Sequence, residues 1–157
     1  MSETTIRAAT PADHDAIWAM IQPVFSAGDT YAIDPEISRD DALAYWCGSA
    51  AYITDGGTYY IRPNQHGGGN HVCNAGFITS KSATGKGIAR AMLSHALIEA
   101  KTLGYDAMQF NFVLANNARA LDIWTRAGFV QIGRIPRAFR HPADGMVDAI
   151  ILHKFLD

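Results

Sequence analysis

The segment from Val72 to Leu114 constrains the fold more than any other part of the chain. An apolar run, Val72–Thr79, gives way to the polar stretch Ser80–Lys86. Gly87–Leu103 follows, in which Ile88, Met92, Ala96, Ala100 and Leu103 recur at helical spacing with Leu93 and Leu97 beside them. Gly104 supplies the helix stop. Ala107–Leu114 is then apolar except for Gln109 and Asn111. A strand apolar on both faces belongs in the middle of a sheet with helices on each side. The sequence therefore reads strand, polar turn, long amphipathic helix, central strand.

The flanking segments extend this pattern. Thr5–Ala9 reads as a short strand, and Thr10-Pro11-Ala12-Asp13 as a helix start, with Thr10 as cap, Pro11 in the first turn and Asp13 as the returning carboxylate. Ile17, Met20, Ile21, Val24 and Phe25 form that helix's buried stripe, and Gly28 ends it. Residues 29–37 read as a connecting loop, and Ser38 opens a second helix through about Trp46. Ala50–Thr54 and Thr58–Arg62 flank the hairpin signature Asp55-Gly56-Gly57, and Pro63–Asn70 is a polar loop. Asn116-Asn117 opens a short helix, Ala118–Ala127, and Phe129–Ile135 and Met146–Phe155 are closing strands joined by a Pro136–Gly145 loop. With no internal repeat, the 157 residues are expected to form one α/β domain, 1–157.

Composition narrows the function classes. Net charge is −2, from 13 Lys and Arg against 15 Asp and Glu, so no bulk basic field is offered to nucleic acid or an anionic membrane. Cys47 and Cys73 cannot make a disulfide framework, Met1–Arg7 lacks the pattern of a leader, and no apolar run reaches the roughly 18 residues of a span. A cytoplasmic protein without nucleic-acid or membrane partners is expected. His66, His71, Cys73 and Cys47 lack metal-ligand spacing, so no metal is expected. His66-Gly67-Gly68-Gly69 has no accompanying GxSxG, which excludes a hydrolase of that type, and Cys73 has no activating pair.

The chemistry-bearing stretch is Ser82-Ala83-Thr84-Gly85-Lys86-Gly87-Ile88-Ala89-Arg90. It precedes a helix, whose first-turn N–H groups lack intrahelical partners and attract phosphate. Glycines allow a close approach, and Lys81, Lys86 and Arg90 add positive charge. An ordinary connection into a helix start would look similar. A Walker A loop is excluded because the upstream glycine and the hydroxyl after Lys86 are missing. A dinucleotide fingerprint is excluded because Arg90 stands in place of the third glycine.

Gly85 and Gly87 instead fit the pyrophosphate loop of the GNAT acetyltransferase superfamily, (Arg or Gln)-x-x-Gly-x-(Gly or Ala), with Ser82 in place of the first residue. About thirty residues on, Asn117-x-x-Ala120-x-x-Ile123-Trp124-x-x-x-Gly128-Phe129 resembles the second half of that signature. The resemblance implies a GNAT fold: a mixed, mostly antiparallel sheet with two splayed parallel strands, here Val72–Thr79 and Ala107–Leu114, and helices on both faces. It implies an N-acetyltransferase that uses acetyl-CoA as cosubstrate, held by Thr84, Gly85, Lys86, Gly87, Ile88, Ala89 and Arg90, with Asn117 beside its pantetheine arm. The acceptor amine attacks the thioester directly, and a backbone amide near Ile78 polarises the carbonyl.

Tyr60-Ile61-Arg62-Pro63-Asn64, His71-Val72-Cys73-Asn74-Ala75-Gly76-Phe77 and Phe110-Asn111-Phe112-Val113 resemble a narrower branch. That branch includes the fungal N-acetyltransferase acting on proline analogues such as azetidine-2-carboxylate. The resemblance implies a small-molecule amine or amino acid substrate, its carboxylate held by Asn74 and Asn111, with Phe77 and Tyr60 walling the pocket. An unpaired amide inside an apolar strand costs roughly 1–3 kcal/mol, so both asparagines need partners. A substrate carboxylate is one, and backbone across the strand gap is another. Asn74 and Phe77 fall on opposite faces of a regular strand, so a shared pocket calls for a bulge, expected at Gly76.

Two departures from the family pattern stand out. Trp124 occupies the place of the usual tyrosine acid, and residues 71–79 contain no carboxylate base. His71 is the remaining candidate for proton acceptance through water. Arg134, Arg137, Arg140 and His141 form a basic run that could meet the CoA phosphates or an acidic substrate, and the Pro136–Gly145 loop could serve as a lid. Acetylation of protein amines and a catalytically degenerate CoA-binding sensor are the alternatives, and a homodimer is left open.

Overall fold

A computed structural model describes residues 4–157. Seven strands, β1 (Arg7–Ala8), β2 (Ala50–Thr54), β3 (Gly57–Pro63), β4 (Val72–Thr79), β5 (Ala107–Leu114), β6 (Val130–His141) and β7 (Gly145–Phe155), form one sheet in the order β1-β2-β3-β4-β5-β7-β6. Four α-helices accompany them: α1 (His14–Ala27), α2 (Arg39–Cys47), α3 (Ile88–Thr102) and α4 (Ala118–Arg126). Every neighbouring pair is antiparallel except β4 and β5. That parallel pair holds register only at Val72↔Ala107 and Cys73↔Met108, after which the strands part.

The helices lie on both faces, as the apolar pattern of the central strands requires. On one face the α1 residues Ile17, Ile21 and Phe25 and the α2 residues Leu43 and Trp46 pack on Ile53, Tyr60 and Ile78. On the other, Met92, Leu93, Ala96 and Ala100 of α3 pack on Tyr59, Ile61, Met108 and Leu152. A buried polar relay supports the first face: Trp46 Nε1 donates to Thr58 Oγ1 at 2.9 Å, and that hydroxyl donates to the Tyr52 carbonyl at 2.8 Å.

Local chemistry fixes the helix starts. Ser38 caps α2 by accepting from the Asp41 N–H at 3.1 Å, and Asn117 caps α4 by accepting from the Ala120 N–H at 3.2 Å. Residues Pro11–Asp13 form a single 3-10 turn ahead of α1, rather than its first α-helical turn. There the Asp13 carboxylate accepts from the Thr10 N–H at 2.8 Å and from both terminal nitrogens of Arg7 at 2.7 and 2.8 Å. One side chain thus ties β1 to the start of α1.

The expected loop Pro136–Gly145 is a hairpin instead, strand on both sides of a turn at 142–144. Strand β6 continues to His141, and register shifts at Gln131/Gly133 and Ile135/Phe139 absorb the proline. Arg137, at φ +49, stands in the second shift, where its N–H donates to Asp148 Oδ1 at 2.7 Å. Arg134 Nε donates to Oδ2 of the same carboxylate at 2.6 Å. The segment is a β-hairpin pinned at Asp148, not a free loop, and part of the basic run is neutralised within the sheet.

Arginine and amide donors hold the Asp13 carboxyl well below the usual carboxylate range. A lowered carboxyl pKa contributes stability above the unfolded value of about 3.9 and loses it as pH falls further. Asp13→Asn is therefore expected to lower the melting temperature at pH 7, with the gap from the parent closing on acidification below about pH 4. Thermal melts of both proteins across pH 2–7 check this.

Candidate active site

Where β4 and β5 part, the sheet opens into a cavity of about 260 Å3. Asn74, Phe77 and Tyr60 line it from the β3–β4 side, Asn111 from β5 and Asn117 from the start of α4. The five cleft residues expected from sequence thus meet in one place. Tyr31 and Tyr45 line it too. Neither was visible from any local pattern, because Tyr31 sits in a segment read as a connector and Tyr45 in an ordinary helix.

The Asn74 amide spans the opening. Its Nδ2 donates to the Gln109 carbonyl on β5 at 3.0 Å, and its Oδ1 accepts from the Tyr60 hydroxyl at 3.1 Å. The backbone-bridging alternative is therefore realised at this asparagine, with one amide hydrogen left over. Asn111 Nδ2 donates to Asn64 Oδ1 at 2.6 Å, and its Oδ1 accepts from Gln109 Nε2 at 3.0 Å. It is exposed at the mouth.

No bulge occurs at Gly76. The β3–β4 register runs unbroken from Gly57↔Thr79 to Pro63↔Cys73. Asn74 and Phe77 do face opposite sides of the sheet, and both reach the cavity because the cavity passes between the strands. The irregularity lies on β5, between Phe110 and Val113. Gly76 instead makes room for an aromatic ring. A Cβ at this position would sit 2.8 Å from Cζ of Tyr60, whose ring crosses the strand here.

The register also changes which amide of β4 faces the opening, a position expected near Ile78. The Phe77 N–H donates to the Tyr31 hydroxyl at 3.1 Å, so it points away from β3 toward the opening. Alternation then turns the N–H of Ile78, paired with Thr58, toward β3. The Ser80 N–H, two residues on, indeed donates to the Gly56 carbonyl at 2.9 Å. Phe77, not Ile78, presents its amide on the open edge.

His71 also stands apart from the expectation. It precedes Val72 at the closed end of the strand pair, six residues before Phe77 and so about 20 Å away along the strand. It is exposed and does not line the cavity. No acid or histidine among the described residues does. Burial pushes the Cys73 thiol up to about 12, which removes it as a nucleophile. No cluster of three or more His, Cys, Asp or Glu among the described residues could hold a metal.

Arg62 is a further feature missed from sequence. Its guanidinium lies 4.0 Å from the Tyr60 ring centroid and 4.1 Å from that of Tyr45, and its Nη2 donates to the Tyr45 carbonyl at 2.6 Å. Its Nε is buried without a partner, and no carboxylate among the described residues pairs with it.

The turn into α3 has the geometry of an anion cradle. Gly85 and Gly87 adopt φ +84 and +77, a region open to glycine at little cost. Gly87 is the N-cap of α3 and has no side chain to cap it, unlike Ser38 and Asn117. The first-turn amides of Ile88, Ala89 and Arg90 therefore lack a capping side chain. Lys81, Lys86 and Arg90 are exposed and take no part in the ion pairs of the described residues.

The model of the Acetyltransferase (GNAT) family matches residues 15–129. The chain belongs to this family. Among solved structures, a GCN5-related N-acetyltransferase from Kribbella flavida superposes with a TM-score of 0.92 at 34% identity, covering 97% of each chain. The structure of yncA, described as an acetyltransferase, from Salmonella typhimurium with its cofactor acetyl-CoA gives 0.87 at 20% identity, covering 99% of this chain and 95% of that one. At that identity the likeness concerns the fold. N-acetyltransferase aca1 of Schizosaccharomyces pombe is 38% identical over 96 residues, which are 60% of this chain and 46% of that protein. This match thus spans about half the length of the curated relative.

The Gly76–Tyr60 crossing gives a direct test of the site's construction. Gly76→Ala is expected to displace the Tyr60 ring and destabilise the protein by about 1–3 kcal/mol through overpacking. Chemical denaturation measures it.

Proposed function

We propose that this protein transfers the acetyl group of acetyl-CoA to the amine of a small molecule bearing a carboxylate, an amino acid or a proline-like imino acid. The observation that carries the reading is the parted β4–β5 pair, with the Phe77 amide on its open edge. An anion cradle lies where β4 runs on into α3, and a pair of asparagines lines the gap itself.

Acetyl-CoA would supply an activated acyl group. In this reading Gly85, Gly87 and the first-turn amides of α3 bind its diphosphate, helped by Lys81, Lys86, Arg90 and Thr84. Asn117 keeps its Nδ2 free while its Oδ1 caps α4, and that nitrogen serves the pantetheine arm. The Phe77 N–H donates to the thioester oxygen, in the role first expected of Ile78. The remaining hydrogen of Asn74 and the mouth position of Asn111 orient the carboxylate. The ammonium first loses a proton to solvent; the lone pair then attacks the carbonyl carbon, the C–N bond forms, the C–S bond breaks with its electron pair leaving on the CoA sulfur, and the surplus amide proton passes through solvent to that thiolate.

Charge favours an acceptor with a carboxylate over a bare ammonium. The cavity lining holds no acid among the described residues, and Arg62 lies behind Tyr45 and Tyr60 without a counter-ion. The proline-analogue branch is supported by the same asparagine pair and by the likeness to the fungal N-acetyltransferase aca1. A sensor reading rests on the lack of an acid or base among the described residues of the lining, and release of free thiol in the presence of amino acids separates it from the enzyme. A homodimer is supported by the exposed Val130, Ile132 and Ile135 on the edge strand β6. No helix among the described residues is long and apolar enough to cross a membrane. The free thiols of Cys47 and Cys73 support a reducing, cytoplasmic setting.

Three outcomes are expected. Asn74→Ala and Asn111→Ala each raise the KM for an amino acid acceptor on the order of tenfold, as loss of a hydrogen bond to a charged group does, leaving the KM for acetyl-CoA unchanged. An unchanged acceptor KM in both variants would remove the carboxylate clamp. Gly87→Ala weakens acetyl-CoA binding in calorimetry on the order of tenfold, because alanine is strained at this positive φ. With no histidine or carboxylate of the described residues in the lining, kcat/KM rises with pH toward the pKa of the acceptor amine, without an inflection near 6.5.

A further inference from the structure

Tyr31 reaches the active-site edge from the connector between α1 and α2, and its contacts go beyond those of a pocket wall. Its hydroxyl accepts from the Phe77 N–H at 3.1 Å and donates to the Phe77 carbonyl at 3.0 Å. Both polar groups that this residue turns toward the strand opening are therefore satisfied by one phenol. The ring is held edge-on by Phe25 at 5.5 Å and by Trp46 at 6.1 Å, so its reach is fixed by the buried face under α1 and α2.

The other tyrosine hydroxyls in the cavity are committed elsewhere. The hydroxyls of Tyr45 and Tyr60 are hydrogen-bonded to each other at 3.2 Å, and Tyr60 also donates toward Asn74. The Trp124 ring on α4 packs against Phe77 at 5.3 Å and Phe110 at 4.8 Å. Burial raises the Tyr31 phenol above its ordinary pKa, so it is a neutral donor across the working range of pH. An oxygen that accepts from the Phe77 N–H comes within about 2.9 Å of that nitrogen, and so enters the reach of the same hydroxyl.

We propose that Tyr31 is a catalytic residue whose hydroxyl transfers its hydrogen bond from the Phe77 carbonyl to the thioester oxygen, forming with the Phe77 N–H a two-donor site for the charge that develops there. The inference rests on the acetyl-transfer reading and adds a residue to it. Two donors aimed at one developing oxyanion are the arrangement in which removal of a single donor costs about 10²–10³ in kcat. No proton is transferred by Tyr31 in this role. It donates a hydrogen bond while the C–N bond forms and the C–S bond breaks.

Tyr31→Phe removes the hydroxyl and keeps the ring between Phe25 and Trp46, so a cooperative melt is retained. With carbonyl-labelled acetyl-CoA bound and no acceptor present, the infrared carbonyl stretch is expected at lower wavenumber in the parent than in Y31F. With an amino acid acceptor, kcat of Y31F is expected to fall on the order of a hundredfold, with the acceptor KM little changed. Equal carbonyl stretches in parent and variant overturn the role of Tyr31 and leave acetyl transfer standing. Tighter acetyl-CoA binding by Y31F with unchanged kcat also overturns it, since the hydroxyl is then only a plug on the Phe77 amide. Failure of the parent to bind acetyl-CoA overturns the acetyl-transfer reading itself, and this inference with it.

Discussion

Two parallel strands that pair at only two positions are the constraint on which the site depends. Beyond Cys73↔Met108 the backbone of β4 has no strand on its outer side, and each exposed N–H and C=O needs another partner. The protein meets that need with side chains. Asn74 bridges to the Gln109 carbonyl, and Tyr31 covers both polar groups of Phe77. Aromatic rings keep the strands from closing. Phe77 and Phe110 meet edge-on at 6.2 Å, and Phe110 stacks on Phe129 at 4.5 Å. A pair of strands held apart in this way leaves backbone donors addressable by a ligand, which a complete ladder would not.

The opposite wall depends on one missing side chain. Tyr60 can cross β4 only because position 76 is glycine, and its hydroxyl then meets Asn74 and Tyr45 together. Arg62, one pair further along the same face, lies over both tyrosine rings. Its positive charge acts across a low-dielectric aromatic layer rather than through an ion pair, so screening by water is weaker than at the surface. An unpaired cation therefore lies behind the tyrosine wall of the cavity.

What the sequence disclosed follows from the range over which each signal acts. The glycine turn into α3, the Asn117 cap and the two in-strand asparagines are local patterns, and they appear where the spacing put them. The difference between Ile78 and Phe77 is a single residue of strand parity, which depends on the register with β3 and not on β4 alone. Tyr31 meets Phe77 across 46 residues of chain, a contact with no local trace. The hairpin over 136–145 was hidden because Pro136 reads as a break, whereas a bulge secured by Asp148 accommodates it. Placement of His71 at the closed end likewise followed from strand pairing rather than residue type.

The two-residue junction has a mechanical meaning. The sheet consists of two plates, β1 to β4 and β5 to β7, joined along a seam at Val72–Cys73 and Ala107–Met108. Flexing about that seam disturbs side-chain bridges but leaves every antiparallel ladder intact. Such a motion leaves untouched the β3–β4 register that sets the direction of Asn74 and Phe77, whereas Asn111 stands outside the β5–β7 register, in the shift between Phe110 and Val113.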